Sequence, residues 1–287
     1  MADAYTERSW TSEDGLTLAF RDYAGPEGDD GVPVLCLHGL TRNARDFHDL
    51  ALHLAEKRRV LIPEMRGRGN SAYASDTASY KPKQYVADVE HLLREEGIAR
   101  FIAIGTSMGG LMTMMLAAAD RTRIEAAVLN DIGPEIDPAG VARIGDYVGQ
   151  ARSYPTWVHA ARSLADIHGA AFPRYDLDDW LKMAKRTMTL GQNGRISYDY
   201  DMAIAEPFRQ GGESPEGNLW PLFDALHDVP TLLVRGALSD LLTPRTVEAM
   251  AARHSDLQTV TIPEVGHAPT LDEPEARAAI DALLARL

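Results

Sequence analysis

Short apolar runs recur along the chain, separated by stretches in which apolar residues return every three or four positions. Val34-Leu35-Cys36-Leu37, Val60-Leu61-Ile62, Phe101 to Ile104, Ala126 to Leu129, Pro230 to Val234 and Leu257 to Ile262 are too short for helices, and most have the continuous apolar character of strands covered on both faces. The stretches between them read as amphipathic helices. One carries Phe47, Leu50, Ala51 and Leu54 on a face, and Tyr85 to Glu96 turns Val86, Val89 and Leu93 inward. The others present Leu111, Met114, Met115 and Ala118; Val247, Met250, Ala251 and His254; and Ala276, Ile280, Leu283, Leu284 and Leu287. Near the start, Ser9 to Ser12 and Leu16 to Arg21 flank Glu13-Asp14-Gly15, which reads as a hairpin. Strand and helix in alternation predict an α/β fold: a mostly parallel, eight-stranded sheet with helices on both faces.

The alternation breaks between Gly133 and Asp228, where helix-like pieces appear without a strand repeat. Roughly 90 residues is too long for a plain loop in a compact domain. The expected organisation is a core of residues 1–133 and 229–287 with an inserted helical cap over 134–228. The 287 residues suffice for one large domain with such an insertion.

Composition removes several functions. With 29 basic and 42 acidic residues the net charge is −13, which opposes nonspecific binding to nucleic acid or to anionic membranes. The single cysteine, Cys36, has no internal disulfide partner and falls inside an apolar strand, so a buried inert thiol is expected. No apolar run approaches the roughly 20 residues of a membrane span. The first residues lack the basic and apolar regions of a signal peptide, and the expectation is a cytoplasmic enzyme.

The candidate chemistry centres on Gly105-Thr106-Ser107-Met108-Gly109-Gly110, a G-x-S-x-G between a strand and a helix. Such a turn holds one hydroxyl above the end of a sheet and aims helix amides at negative charge forming beside it. A serine hydroxyl needs a base, and the base needs an orienting acid. Among nine histidines, His267 lies in Gly266-His267-Ala268-Pro269, after the last strand and before the last helix. In a parallel sheet that loop opens at the same edge as Ser107. Two aspartates also follow strands at this edge. Asp240 is favoured as the acid by the chain order serine, acid, histidine, and Asp131 is the alternative. Backbone N–H groups of Leu40 and Met108 are the expected oxyanion hole.

Taken together these segments resemble the α/β-hydrolase family over nearly the whole chain. The residues that carry the resemblance are His38-Gly39-Leu40, Arg66-Gly67-Arg68-Gly69-Asn70-Ser71, the Ser107 turn, the Asp240 loop and Gly266-His267. The resemblance implies a Ser-Asp-His triad, no cofactor and no metal, and a helical cap after the sixth strand. It places the family's usual acid at Asp240, while some members carry it at the position of Asp131. Glu64 departs from the aspartate common in relatives before the R-G-x-G loop. Relatives with a carboxylate nucleophile, such as epoxide hydrolases and dehalogenases, carry aspartate where Ser107 stands.

The expected activity is hydrolysis of a small or medium carboxylic ester or lactone through an acyl-enzyme, with a small-molecule substrate as the only partner. Two alternatives share the same residues. One is a C–C bond hydrolase of ring-cleavage products, helped by a basic residue such as Arg42 or Arg162; the other is a ligand-sensing receptor on the hydrolase fold. Transfer of the acyl group to an acceptor other than water is a variant of the first. Trp157, Tyr198, Tyr200, Phe208 and Trp220 are candidate pocket aromatics, each equally readable as packing within the cap, and Met112 reads as helix packing.

Overall fold

The computed structural model describes residues 4–29, 31–206 and 218–287. Eleven strands run in chain order among the described residues. They are β1 (Thr6–Thr11), β2 (Thr17–Tyr23), β3 (Val34–Leu37), β4 (Val60–Pro63), β5 (Phe101–Thr106), β6 (Ile124–Asn130), β7 (Ser153–Tyr154), β8 (Met188–Leu190), β9 (Ile196–Tyr198), β10 (Thr231–Gly236) and β11 (Leu257–Ile262). Eight form one sheet in the order β1-β2-β4-β3-β5-β6-β10-β11. β1 and β2 are an antiparallel hairpin, β2 meets β4 antiparallel, and every later pairing is parallel.

Strand periodicity divides the core into two layers. Leu35, Leu37, Phe101, Ala103, Ala127, Leu129 and Leu233 point to one face. Their neighbours Val34, Cys36, Ile102, Ile104, Ala126, Val128, Leu232 and Val234 point to the other. Both faces are therefore buried, which is why these strands read as continuous apolar runs. Cys36 lies in this core with its thiol pKa pushed up by burial.

The helices that cover the first layer are α2 (Pro82–Glu95) and α3 (Met108–Asp120). The second layer is covered by α1 (His48–Ala55), through Leu50, Ala51 and Leu54, and by the last helix, through Ala276, Ile280 and Leu283. α3 departs from the simple amphipathic pattern. Met112, Thr113, Leu116 and Ala117 are buried along with Leu111 and Met114, while Ala118 is exposed. The helix lies between the sheet and a further layer rather than at the surface.

Between β6 and β10 the chain leaves the sheet. It forms α4 (Pro138–Tyr147), α5 (Trp157–His168), α6 (Leu177–Thr187) and the small sheet β7-β9-β8, then α7 (Trp220–Asp224). Ala160, Ala161, Leu164, Trp180 and Met183 join the second apolar layer. Arg45, after β3, ties this segment down: its Nε donates to Lys185 O and Arg186 O, and its Nη2 to Met188 O and Asp199 Oδ2. After β10 come α8 (Pro244–Arg253) and, after β11, α9 (Pro274–Leu284). Among the described residues no helix is long and apolar enough to cross a membrane.

Candidate active site

Five adjacent strands, β3, β5, β6, β10 and β11, end along one rim of the sheet, and each sends one loop into the same region. The turn after β5 holds Ser107 at φ 53° and ψ −116°, a strained conformation for a residue with a side chain. The close approach of strand and helix explains the glycines. A Cβ on Gly105 would come within 2.3 Å of Gly109 O, and one on Gly109 within 1.9 Å of Leu37 O. Ser107 caps α3 without a side-chain hydrogen bond, so its hydroxyl stays free for another partner.

That partner is His267, in the loop after β11. Ser107 Oγ and His267 Nε2 are 2.9 Å apart, and His267 Nδ1 donates to Asp131 Oδ2 at 2.8 Å. The loop bearing His267 is fastened on two sides. Gly266 N–H donates to Ala171 O, and Asn130 Nδ2 donates to Pro269 O at 2.8 Å. Asp131 follows β6 at φ 57° and is fully buried. Besides the imidazole it accepts Gly236 N–H at 2.9 Å and Ser239 Oγ–H at 2.6 Å. Three donors converging on one buried side chain hold it aligned with the imidazole.

Against the expectation that Asp240 orients the imidazole, the aspartate that reaches it is Asp131. Asp240 does not bond the imidazole. Its carboxylate is taken side-on by Arg143 of α4, at 2.5 Å from Nε and 2.9 Å from Nη2, and this pairing holds its pKa below the usual range. The loop after β10 still serves the site, through Gly236 N–H and the Ser239 hydroxyl on Asp131 rather than through Asp240.

The expected anion pocket rests on the backbone N–H groups of Leu40, in the loop after β3, and Met108, the first residue of α3. Neither donates to a backbone carbonyl or side chain among the described residues. The Leu40 peptide is fixed from behind, where Arg68 Nε donates to Leu40 O at 2.9 Å.

A chamber of about 200 Å³ opens over Ser107 and His267. Ile144, Tyr147, His168, Phe172, Tyr175 and Met183 of the segment after β6 wall it, opposite Gly39, Leu40 and Arg42. Trp157 and Trp220 take no part. Trp157 packs on the second apolar layer, and Trp220 Nε1 donates to Glu135 while its ring meets Phe223. Tyr198 and Tyr200 border only a smaller recess of about 30 Å³ beside Arg42. Phe208 lies outside the described residues, and Met112 is buried in helix packing. Arg162 is exposed on α5, away from the chamber. Among the described residues no cluster of three or more His, Cys, Asp or Glu is disposed to hold a metal ion.

Residues 32–274 match the family model for the alpha/beta hydrolase fold. The chain is an α/β-hydrolase. It is 38% identical to the 3-hydroxybutyrate-oligomer hydrolase of Cupriavidus necator, over 86% of this chain and 87% of that one. An esterase of Mycobacterium tuberculosis is 27% identical over 87% of this chain and 81% of its own. Among solved structures, an alpha/beta hydrolase from Novosphingobium aromaticivorans superposes with a TM-score of 0.95 at 57% identity, covering 99% of both chains.

In this hydrolase the conspicuous histidine and arginines outside the Ser107 turn are fasteners. Met65 N–H donates to His38 Nε2 at 3.0 Å, so the ring proton is on Nδ1, which donates to Gly39 O at 2.8 Å. Burial pushes the His38 pKa down to about 3, and the ring is neutral. Arg66 grips Asp88 and Asp14 in two-pronged pairs. Arg68 reaches Arg66 O and Tyr85 OH as well as Leu40 O. Glu64 is buried with its pKa raised by that burial, and accepts Ala44 N–H at 3.0 Å and Asn70 N–H at 2.6 Å. The longer side chain thereby bridges the loops after β3 and β4. His38→Leu removes an acceptor from Met65 N–H and a donor from Gly39 O. It is expected to cost roughly 1–3 kcal/mol of stability in a urea melt.

Proposed function

We propose that this α/β-hydrolase cleaves a small or medium carboxylic ester through a covalent acyl-serine intermediate. Ser107 is the nucleophile, His267 the general base and then acid, and Asp131 the orienting carboxylate. The observation that carries the reading is the unbroken chain from Ser107 Oγ to His267 Nε2 at 2.9 Å and from His267 Nδ1 to Asp131 at 2.8 Å. His267 takes the Ser107 proton as Oγ bonds to the carbonyl carbon, and the carbonyl oxygen becomes an oxyanion. The Leu40 and Met108 amides receive that charge, an interaction whose loss costs about 10²–10³ in turnover in comparable sites. Collapse of this intermediate breaks the C–O bond, and the imidazolium gives its proton to the departing alcohol. Water then repeats the sequence on the acyl-serine, freeing the acid and restoring Ser107.

Chamber size supports a small substrate. About 200 Å³ lies below the roughly 300–1,000 Å³ of pockets for drug-sized ligands. Side chains between Ile144 and Arg186 supply much of its wall, and in this reading the inserted segment acts as a cap that sets substrate size. The likeness to a 3-hydroxybutyrate-oligomer hydrolase puts short esters of hydroxy acids first among candidates, ahead of lactones.

The mechanism is tested by trapping. An aryl phosphonate should add one phosphonyl group to the protein, mapped by peptide mass spectrometry to Ser107, and p-nitrophenyl acetate should release nitrophenolate over many turnovers. A label on another residue, or a protein inert to both reagents, overturns the assignment.

A further inference from the structure

We propose that the ester taken by this site carries a free carboxylate, and that Arg42 is the residue that selects it. The inference rests on the serine-hydrolase reading above and deepens it. Arg42 follows the Leu40 turn, and its stem lies beside the nucleophile. A methyl group on Gly39 would sit 3.4 Å from Arg42 Cγ and 3.8 Å from Ser107 Cβ. The guanidinium borders the chamber and is only partly buried.

Three cationic side chains line the chamber, and two differ from Arg42. Arg186 is engaged by Asp49 and Asp272, both at 2.5 Å. Lys182 is mostly exposed and stands 4.0 Å from Asp179. Among the described residues the Arg42 side chain makes a single hydrogen bond, from Nη1 to Asp46 Oδ1, and at 3.3 Å it is a long one. Among the described residues nothing accepts from its Nε or Nη2. This Nε–Nη2 edge is the one that grips a carboxylate elsewhere in the molecule. Arg66 holds Asp88 by it at 2.8 and 2.7 Å, and Arg143 holds Asp240 by it at 2.5 and 2.9 Å. At Arg42 the same two-donor edge is left for a ligand.

The surroundings suit a carboxylate tail. Around the guanidinium stand Tyr147, Tyr175 and His168, whose ring is kept neutral by burial and by Arg42 and Arg143, with its pKa lowered to about 3. They offer hydrogen-bonding groups without adding charge, and the carboxylates that line the chamber, Asp46, Asp179 and Asp272, each stand beside one of its three cations, so what distinguishes Arg42 is its open two-donor edge. The protein as a whole carries −13 and repels small anions, which makes an open guanidinium beside the nucleophile a selective feature rather than part of a basic surface. A short oligomer of a hydroxy acid has both groups this arrangement requires, an internal ester and a terminal carboxylate.

Two substrate pairs test the idea. One is the linear dimer of 3-hydroxybutyrate against its terminal carboxamide, with cleavage of the internal ester followed by chromatography. The other is mono-p-nitrophenyl succinate against p-nitrophenyl succinamate, which puts the charge on the acyl side. On one pair the wild type is expected to favour the acid by about 10- to 100-fold in kcat/KM, chiefly through KM. Arg42→Gln should bring that ratio near one, and Arg42→Lys, which keeps the charge but not the two-pronged edge, should leave it intermediate. Absence of acid preference on both pairs, a preference that survives Arg42→Gln, or an equal loss on acid and amide overturns the proposal. If the wild type also ignores p-nitrophenyl acetate and takes no phosphonate, the serine-hydrolase reading fails with it. Turnover of neutral esters without acid preference removes the Arg42 assignment alone.

Discussion

Asp131→Asn is expected to lower kcat for p-nitrophenyl acetate about 10⁴-fold, the scale seen when a triad aspartate elsewhere is made an amide. The reason is the number of donors around this side chain. Asp131 accepts from Gly236 N–H, Ser239 Oγ–H and His267 Nδ1–H. A carboxylate can take all three, whereas asparagine replaces one oxygen by an NH₂ group that must face one of those donors. Relief comes most readily at the imidazole, which can move its proton from Nδ1 to Nε2. In that tautomer Nε2 no longer accepts the Ser107 proton. Asp240→Asn acts on something else, the partly exposed pair with Arg143, and should change turnover less than about fivefold. Steady-state kinetics on the two variants decides between them. A large defect in Asp240→Asn with a small one in Asp131→Asn would return the acid to the loop after β10.

The contrast between the two aspartates shows how far the sequence could be read. Strand and helix placement was legible because both faces of β3, β5, β6 and β10 are buried, leaving apolar runs that could not be helices of ordinary length. Ser107 and His267 were legible because a parallel sheet delivers every such loop to one rim. Which of two aspartates on that rim reaches the imidazole depends on side-chain direction, and sequence spacing does not carry it. The decisive difference is Arg143, more than 90 positions from Asp240 and in a segment with no strand repeat. In that segment the helix starts were nevertheless written in the chain. Asp137 before Pro138, Thr156 before Trp157, and Asp176 with Asp179 are all side-chain caps in the structure. They locate α4, α5 and α6 but say nothing of which aromatic faces the chamber. Large residues such as Trp157 and Trp220 drew attention by size, while Tyr147, His168, Phe172 and Tyr175 line the cavity by virtue of how those helices pack.

Replacing Ser107 separates catalysis from folding. Ser107→Ala removes the proposed nucleophile, and the expected loss is about 10⁵–10⁶ in kcat, leaving only the modest acceleration that oxyanion donors and binding supply by themselves. Folding should respond differently, because the backbone at this position is held at φ 53° and ψ −116°. Alanine inherits that strain and also forfeits the bond to His267 Nε2, so its stability should stay near wild type or fall slightly. Glycine occupies the same backbone region without a Cβ penalty. Ser107→Gly is therefore expected to be as inactive as Ser107→Ala and more stable than it by about 1 kcal/mol, close to 2 °C in Tm, after allowing for the greater freedom glycine gives the unfolded chain. Calorimetry on the pair reads the strain, and p-nitrophenyl acetate turnover reads the chemistry. A glycine variant that melts below the alanine variant would show that the strain at this turn is smaller than the folding entropy glycine adds. Retained turnover in either would mean that another group attacks the ester.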